Sequence, residues 1–170
     1  LLYVNLRGVR QAGRVFSVPT YAFIVAMLLL IAVGLVDAAG DGFVAHQPSV
    51  TATEGVTVLL ILRAFGSGAT AMTGIEAISD GVPAFQPVEW RNARTTLTWM
   101  AGLLIALFAG TTLLAHFEGI VPTTSETVLS QLGHAAFGSG AMYAVLQAST
   151  ALILLLAANT IWVVVAAVLV

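Results

Sequence analysis

Phe65-Gly-Ser-Gly-Ala-Thr-Ala-Met-Thr-Gly-Ile-Glu76-Ala-Ile-Ser-Asp80-Gly-Val-Pro83 is apolar enough for a membrane, yet it carries repeated glycines, hydroxyl side chains and two carboxylates. A carboxylate near the bilayer centre costs at least a few kcal/mol, so such groups face protein or water and mark ion or substrate handling. Gly74 directly follows Thr73, where a helix can unwind. Broken helices are tolerated at membrane depth where the freed backbone groups line a cavity. The stretch therefore reads as a discontinuous membrane helix with a binding site at its break.

The rest of the 170-residue chain agrees with a membrane setting. Hydrophobic residues make up 59% and charged residues 8%, with a mean hydropathy of +0.99. Soluble domains carry about a quarter charged residues, so the composition predicts an all-α, polytopic membrane helix bundle. The absence of cysteine excludes disulfides, and a net charge of −2 gives no reason to expect a nucleic-acid partner. The chain opens at Leu1 and closes at Val170 inside apolar runs, with no signal peptide recognised. It is accordingly read as a fragment forming one membrane domain.

Four spans of roughly the 20 residues needed to cross a bilayer are expected at about 17–36, 57–79, 95–116 and 141–162. Asn5 to Arg14 reads as a short polar loop, and Pro19 as a first-turn proline whose missing N–H costs little. The prolines and charges of Asp80 to Arg94 read as a loop or short surface segment. Residues 117–140 form a long connection in which Thr124 or Ser125 caps a short helix. Arginine sorts cleanly among these segments. Arg7, Arg10 and Arg14 precede the first span, Arg91 and Arg94 separate the second and third, and the other two connections have none. The positive-inside rule makes the arginine segments cytoplasmic, so the first and third spans run outward.

Glu76 leads the candidates for chemistry. A carboxylate at that depth can take up and release a proton or neutralise a bound cation; the bland alternative is a solvated group at the cytoplasmic end. Thr73, beside Gly74, can offer its hydroxyl oxygen to a cation or substrate, whereas Ser67 and Thr70 read as hydroxyls bonding back to the preceding turn. Gly66, Thr70 and Gly74 share one helical face, a spacing that suits close helix packing. Arg63 either snorkels to the external headgroups or pairs with an acid as part of a gate. Asp80, with Glu89, Arg91 and Arg94, is the candidate for an internal gate. His116 and His134 form no metal-ligand spacing, and Asn159 is expected to face protein. No phosphate loop, nucleophile elbow or Ser/His/Asp constellation occurs, so no soluble enzymatic activity is expected.

Asn5-Leu-Arg-Gly-Val, Arg63 through Phe85, Asn92-Ala with Thr96-Leu-Thr-Trp-Met, and Leu154-Leu-Leu-Ala-Ala-Asn-Thr together resemble the amino acid-polyamine-organocation (APC) superfamily of secondary transporters, nearest its bacterial KUP-like (KimA-type) potassium importers. The resemblance implies a partial LeuT-type fold with a broken second helix, the four spans being helices 5 to 8. It makes residues 117–140 the external loop that closes over the site. It also implies that Thr73, Gly74 and Glu76 bind the substrate or cation and that Glu76 couples it to protons. Two positions depart from the family pattern: Glu89-Trp-Arg stands for Glu-Ser-Lys, and Ile161 to Val170 replaces a Phe-Ala-Asp-Phe-Pro-Arg continuation.

The expected function is proton-coupled uptake of an amino acid or potassium across the cytoplasmic membrane. The expected partners are the lipid bilayer and that substrate with its proton, with a homodimer left open and no cofactor or metal. The competing readings are a truncated, transport-inactive membrane fragment and, with thin support from Glu76 and Asp80, an intramembrane enzyme.

Overall fold

The computed structural model describes residues 9–46, 55–69 and 88–169, with side chains placed at 16–46, 55–69 and 88–158. The described residues are helical with short connections, in the order α1 (Val9–Gly40), α2 (Val58–Gly68), α3 (Glu89–Phe117), α4 (Val128–Phe137) and α5 (Ala141–Leu169). Stretches of α1, α3 and α5 are long and apolar enough to cross a membrane; α2 is a shorter apolar helix. A helix suits this composition because lipid supplies no hydrogen bonds, so every backbone group must be paired within its own segment.

The helices overrun the hydrophobic spans, and three local expectations are corrected. Val9 to Arg14 belongs to α1 rather than to a loop, which places Pro19 inside the helix. The helix continues past Pro19, and one turn earlier the Phe16 carbonyl accepts from Thr20 Oγ1 at 2.8 Å. Such bonding of a hydroxyl to the carbonyl four residues earlier is common for threonine inside helices. Glu89 to Arg94 is likewise helical, forming the first turns of α3. The chain enters this helix at Val88, whose φ of 59° turns it out of the preceding segment and whose carbonyl accepts from the amides of Arg91 and Asn92. Finally, α4 is capped by Thr127, not by Thr124 or Ser125: the Thr127 hydroxyl accepts from the Ser130 amide.

Contacts divide the chain into two units, Leu1–Ser49 with Gly110–Val170, and Val50–Ala109. The first has a defined core. Four leucines are fully buried, one from each helix contributing to it: Leu30 of α1, Leu114 of α3, Leu132 of α4 and Leu146 of α5. Two glycines set how closely α1 and α3 approach. A Cβ at Gly34 would come within 2.8 Å of Leu114, and one at Gly110 within 2.6 Å of Ile31. Each helix thus receives a branched side chain of the other over a glycine. Helix association in lipid depends on this kind of close van der Waals packing, because the acyl chains are as apolar as leucine.

The end of α1 is fastened to the end of α3. Gly42 and Phe43 adopt positive φ, and the Phe43 amide donates to the Ala38 carbonyl at 2.7 Å, which turns the chain off the helix. Phe43 then packs against Phe117 at 5.5 Å between ring centroids, and the His46 amide donates to the Phe117 carbonyl at 2.8 Å.

In the second unit, α2 buries none of its residues. Leu59, Ile61, Leu62 and Phe65 are exposed on it, and Ile105 and Phe108 on α3. Apolar surface so extensive requires lipid or further protein against it.

Candidate functional site

The predicted site is approached through α2. Thr57 caps this helix, its Oγ1 accepting from the Leu60 amide at 3.2 Å. Arg63 follows in the second turn, exposed and without an ion pair among the described residues. Ser67 Oγ donates to the Arg63 carbonyl at 3.0 Å, so its hydroxyl is used within the helix. Open space surrounds the positions that a Cβ would take at Gly66 and Gly68. Close packing over Gly66 is therefore not seen among the described residues. Thr70, Thr73, Gly74, Glu76 and Asp80 lie outside the described residues, so Arg63 is the one member of the predicted set whose surroundings can be stated. Asn159 lies in α5, beyond the last described side chain.

A second polar cluster joins α4 to α5. Ser130 Oγ donates to Glu126 Oε1 at 2.6 Å and lies 2.8 Å from Tyr143 Oη. A serine hydroxyl has one proton, and it is committed to the carboxylate. Tyr143 is then the donor to Ser130, giving a Tyr143→Ser130→Glu126 chain. His134 Nε2 sits 3.7 Å from the same Glu126 oxygen, and its ring stacks on Tyr143 with centroids 3.9 Å apart. Gly133 makes room for the contact, since a Cβ there would meet Leu146 at 2.8 Å and Tyr143 at 3.1 Å. Gln131 Nε2 ties the preceding loop down by donating to the Val121 and Glu126 carbonyls. The segment is thus held as a hairpin rather than a slack loop.

Sequence reasoning did not find this cluster. Glu126, Ser130 and His134 do recur at a four-residue spacing, which is a legible signal. Tyr143 carried none. It reaches Ser130 only after Gly138, at φ 61°, has reversed the chain.

His46 and His116 both line a cavity of about 440 Å³ with Gly119, Ile120 and Val121. His46 Nδ1 lies 2.9 Å from the Phe117 carbonyl oxygen. A metal site needs more ligands than this pair, and no group of three or more His, Asp or Glu able to hold a metal occurs among the described residues.

Three helices able to span a bilayer among the described residues, extensive exposed apolar surface and a packed helical unit define a multi-pass protein of the cell membrane. A family model described as amino acid permease matches residues 1–170, and the chain belongs to that family. It is also 45% identical over 163 residues to the potassium transporter KimA of Bacillus subtilis (strain 168), a match covering 94% of this chain and 27% of that protein. The chain thus spans 27% of the length of this relative.

Proposed function

We propose that the chain is part of a secondary transporter that imports potassium together with a proton. The observation that carries this reading is the 45% identity to a potassium transporter across nearly the whole chain. Thr73-Gly-Ile-Glu76 is the part of the sequence whose chemistry suits that cargo. A partly dehydrated potassium ion needs oxygen ligands. The Thr73 hydroxyl and backbone carbonyls released at Gly74 would supply them, and Glu76 would balance the charge or carry the proton.

Direction follows from the arginines. With Arg10, Arg14, Arg91 and Arg94 held on the cytoplasmic side, α1 and α3 run outward, and residues 117–140 lie outside. The hairpin fastened by Ser130 and Tyr143 would then act as an external cover that moves with α5. Arg63, toward the external end of the second expected span, would line the approach, and Asp80 the exit.

Uptake in proteoliposomes of the intact transporter carrying this sequence tests the reading. Rubidium should accumulate under an imposed inward proton gradient, and accumulation should vanish with Glu76→Gln. Rubidium uptake that ignores the proton gradient would remove the coupling. The description of the matched family supports a second cargo, an amino acid, held by the backbone at Gly74. Gradient-driven uptake of labelled amino acids without rubidium would establish it in place of potassium.

A further inference from the structure

Trp90, Arg91, Arg94, Thr95, Thr98 and Trp99 line an open cavity of about 350 Å³ beside the first turns of α3. Counted from Arg91, positions 94, 95, 98 and 99 follow at the three- and four-residue steps that place side chains on one helical face. No carboxylate is among the described lining residues, and neither arginine makes an ion pair among the described residues. Both threonine hydroxyls are already used as donors: Thr95 Oγ1 to the Arg91 carbonyl and Thr98 Oγ1 to the Arg94 carbonyl, each at 2.9 Å. The charged donors left to a ligand are therefore the two guanidinium groups.

Their position calls for an anion. Cations near a helix N-terminus oppose the positive end of the macrodipole, and Glu89 is the one acidic residue in the first turn. The two tryptophans point to where that anion comes from. Trp90 is 63% and Trp99 77% exposed, and nine residues of helix separate them by about 13 Å. That rise takes the helix from the headgroup layer into the start of the acyl chains, the zone that tryptophan favours. A soluble phosphate would engage the arginines alone. A phospholipid would engage both arginines and both rings.

We propose that this face of α3 binds an anionic phospholipid of the cytoplasmic leaflet, its phosphate held between Arg91 and Arg94, with Trp90 beside the headgroup and Trp99 beside the start of the acyl chains. Guanidinium forks match phosphate oxygens in geometry as well as charge, and the cytoplasmic leaflet is the one with a negative surface potential. The inference rests on the arginine-derived orientation of α3, and it holds whichever cargo the transporter moves.

The test is native mass spectrometry of the intact transporter carrying this sequence, titrated in detergent with phosphatidylglycerol or phosphatidylcholine. One phosphatidylglycerol per chain should be retained with about tenfold preference, because phosphatidylcholine offers the same phosphate but adds a choline cation that cancels its charge and is repelled by the two guanidinium groups. Arg91→Gln with Arg94→Gln should abolish the preference. Arg91→Lys with Arg94→Lys preserves the charge that orients the helix, so it guards against misinsertion; it should keep the preference but lower retention of both lipids severalfold, because an ammonium cannot fork around their common phosphate. Trp99→Leu should weaken retention of both lipids. Equal retention of the two lipids, a preference unaltered by Arg91→Gln with Arg94→Gln, or displacement by millimolar inorganic phosphate would overturn the proposal.

Discussion

The two units of the chain are built in opposite ways. In the first, α1, the end of α3, α4 and α5 each bury a leucine completely, glycines let helices touch, and side chains bond across from α4 to α5. In the second, α2 buries nothing, and its one described side-chain bond beyond the cap returns to its own helix. Composition does not account for this, because both are strongly apolar. The difference lies in who supplies the neighbours: the first unit finds them in its own chain, and α2 must find them in lipid or in protein outside the described residues.

Several substitutions would break or sharpen that contrast. The largest effect is expected beyond α2: Glu76→Gln in the intact transporter should eliminate gradient-driven rubidium uptake while leaving the amount of folded protein unchanged. A loss of folded protein with it would make Glu76 structural. Next comes the packed unit. Leu146→Ala should cost about 2–4 kcal/mol through the cavity left behind, seen as a fall of several degrees in thermal melting. Leu59→Ala in α2 should stay within about 0.5 kcal/mol, and equal costs at the two sites would erase the contrast.

Tyr143→Phe keeps the ring stacked on His134 and removes only the hydrogen bond to Ser130. About 1 kcal/mol should be lost, with faster hydrogen exchange confined to α4. Unaltered exchange there would show that packing around Leu132 and Leu146 alone holds the hairpin. The smallest effect is expected at Arg63. Replacement by lysine keeps a cation able to reach the headgroups, so uptake should be unchanged. A marked fall would favour a gating ion pair over snorkelling.

Helix ends were the least legible part of the fold, for a definite reason. Hydrophobicity reports where a chain meets lipid, whereas helical hydrogen bonding continues into water wherever nothing stops it. Val9 to Arg14 and Glu89 to Arg94 are polar enough to end a span, yet they extend helices. Pro19 misled in the same way: placing it in a first turn assumed that the helix and the apolar run begin together. Around α4, Thr124, Ser125 and Thr127 all have capping chemistry, and only the geometry at the Ser130 amide selects Thr127. Of the predicted site, Arg63 and its bonding neighbour Ser67 fall among the described residues; the reading of Thr73, Gly74, Glu76 and Asp80 rests on sequence and family.

By itself the sequence determined that the chain belongs in a membrane, where its apolar runs lie and how arginine divides their ends. Each is a property of local composition, set by the transfer of side chains between water and lipid. Only the tertiary structure decided that Tyr143 completes a chain with Ser130 and Glu126, that Gly34 and Gly110 receive Leu114 and Ile31, and that α2 stands uncovered among the described residues. Those outcomes depend on how each helix is rotated about its axis and how a connection reverses the chain. Residues 13 to 80 positions apart are then brought within contact distance, and a hydropathy pattern that is apolar all round carries no record of that rotation.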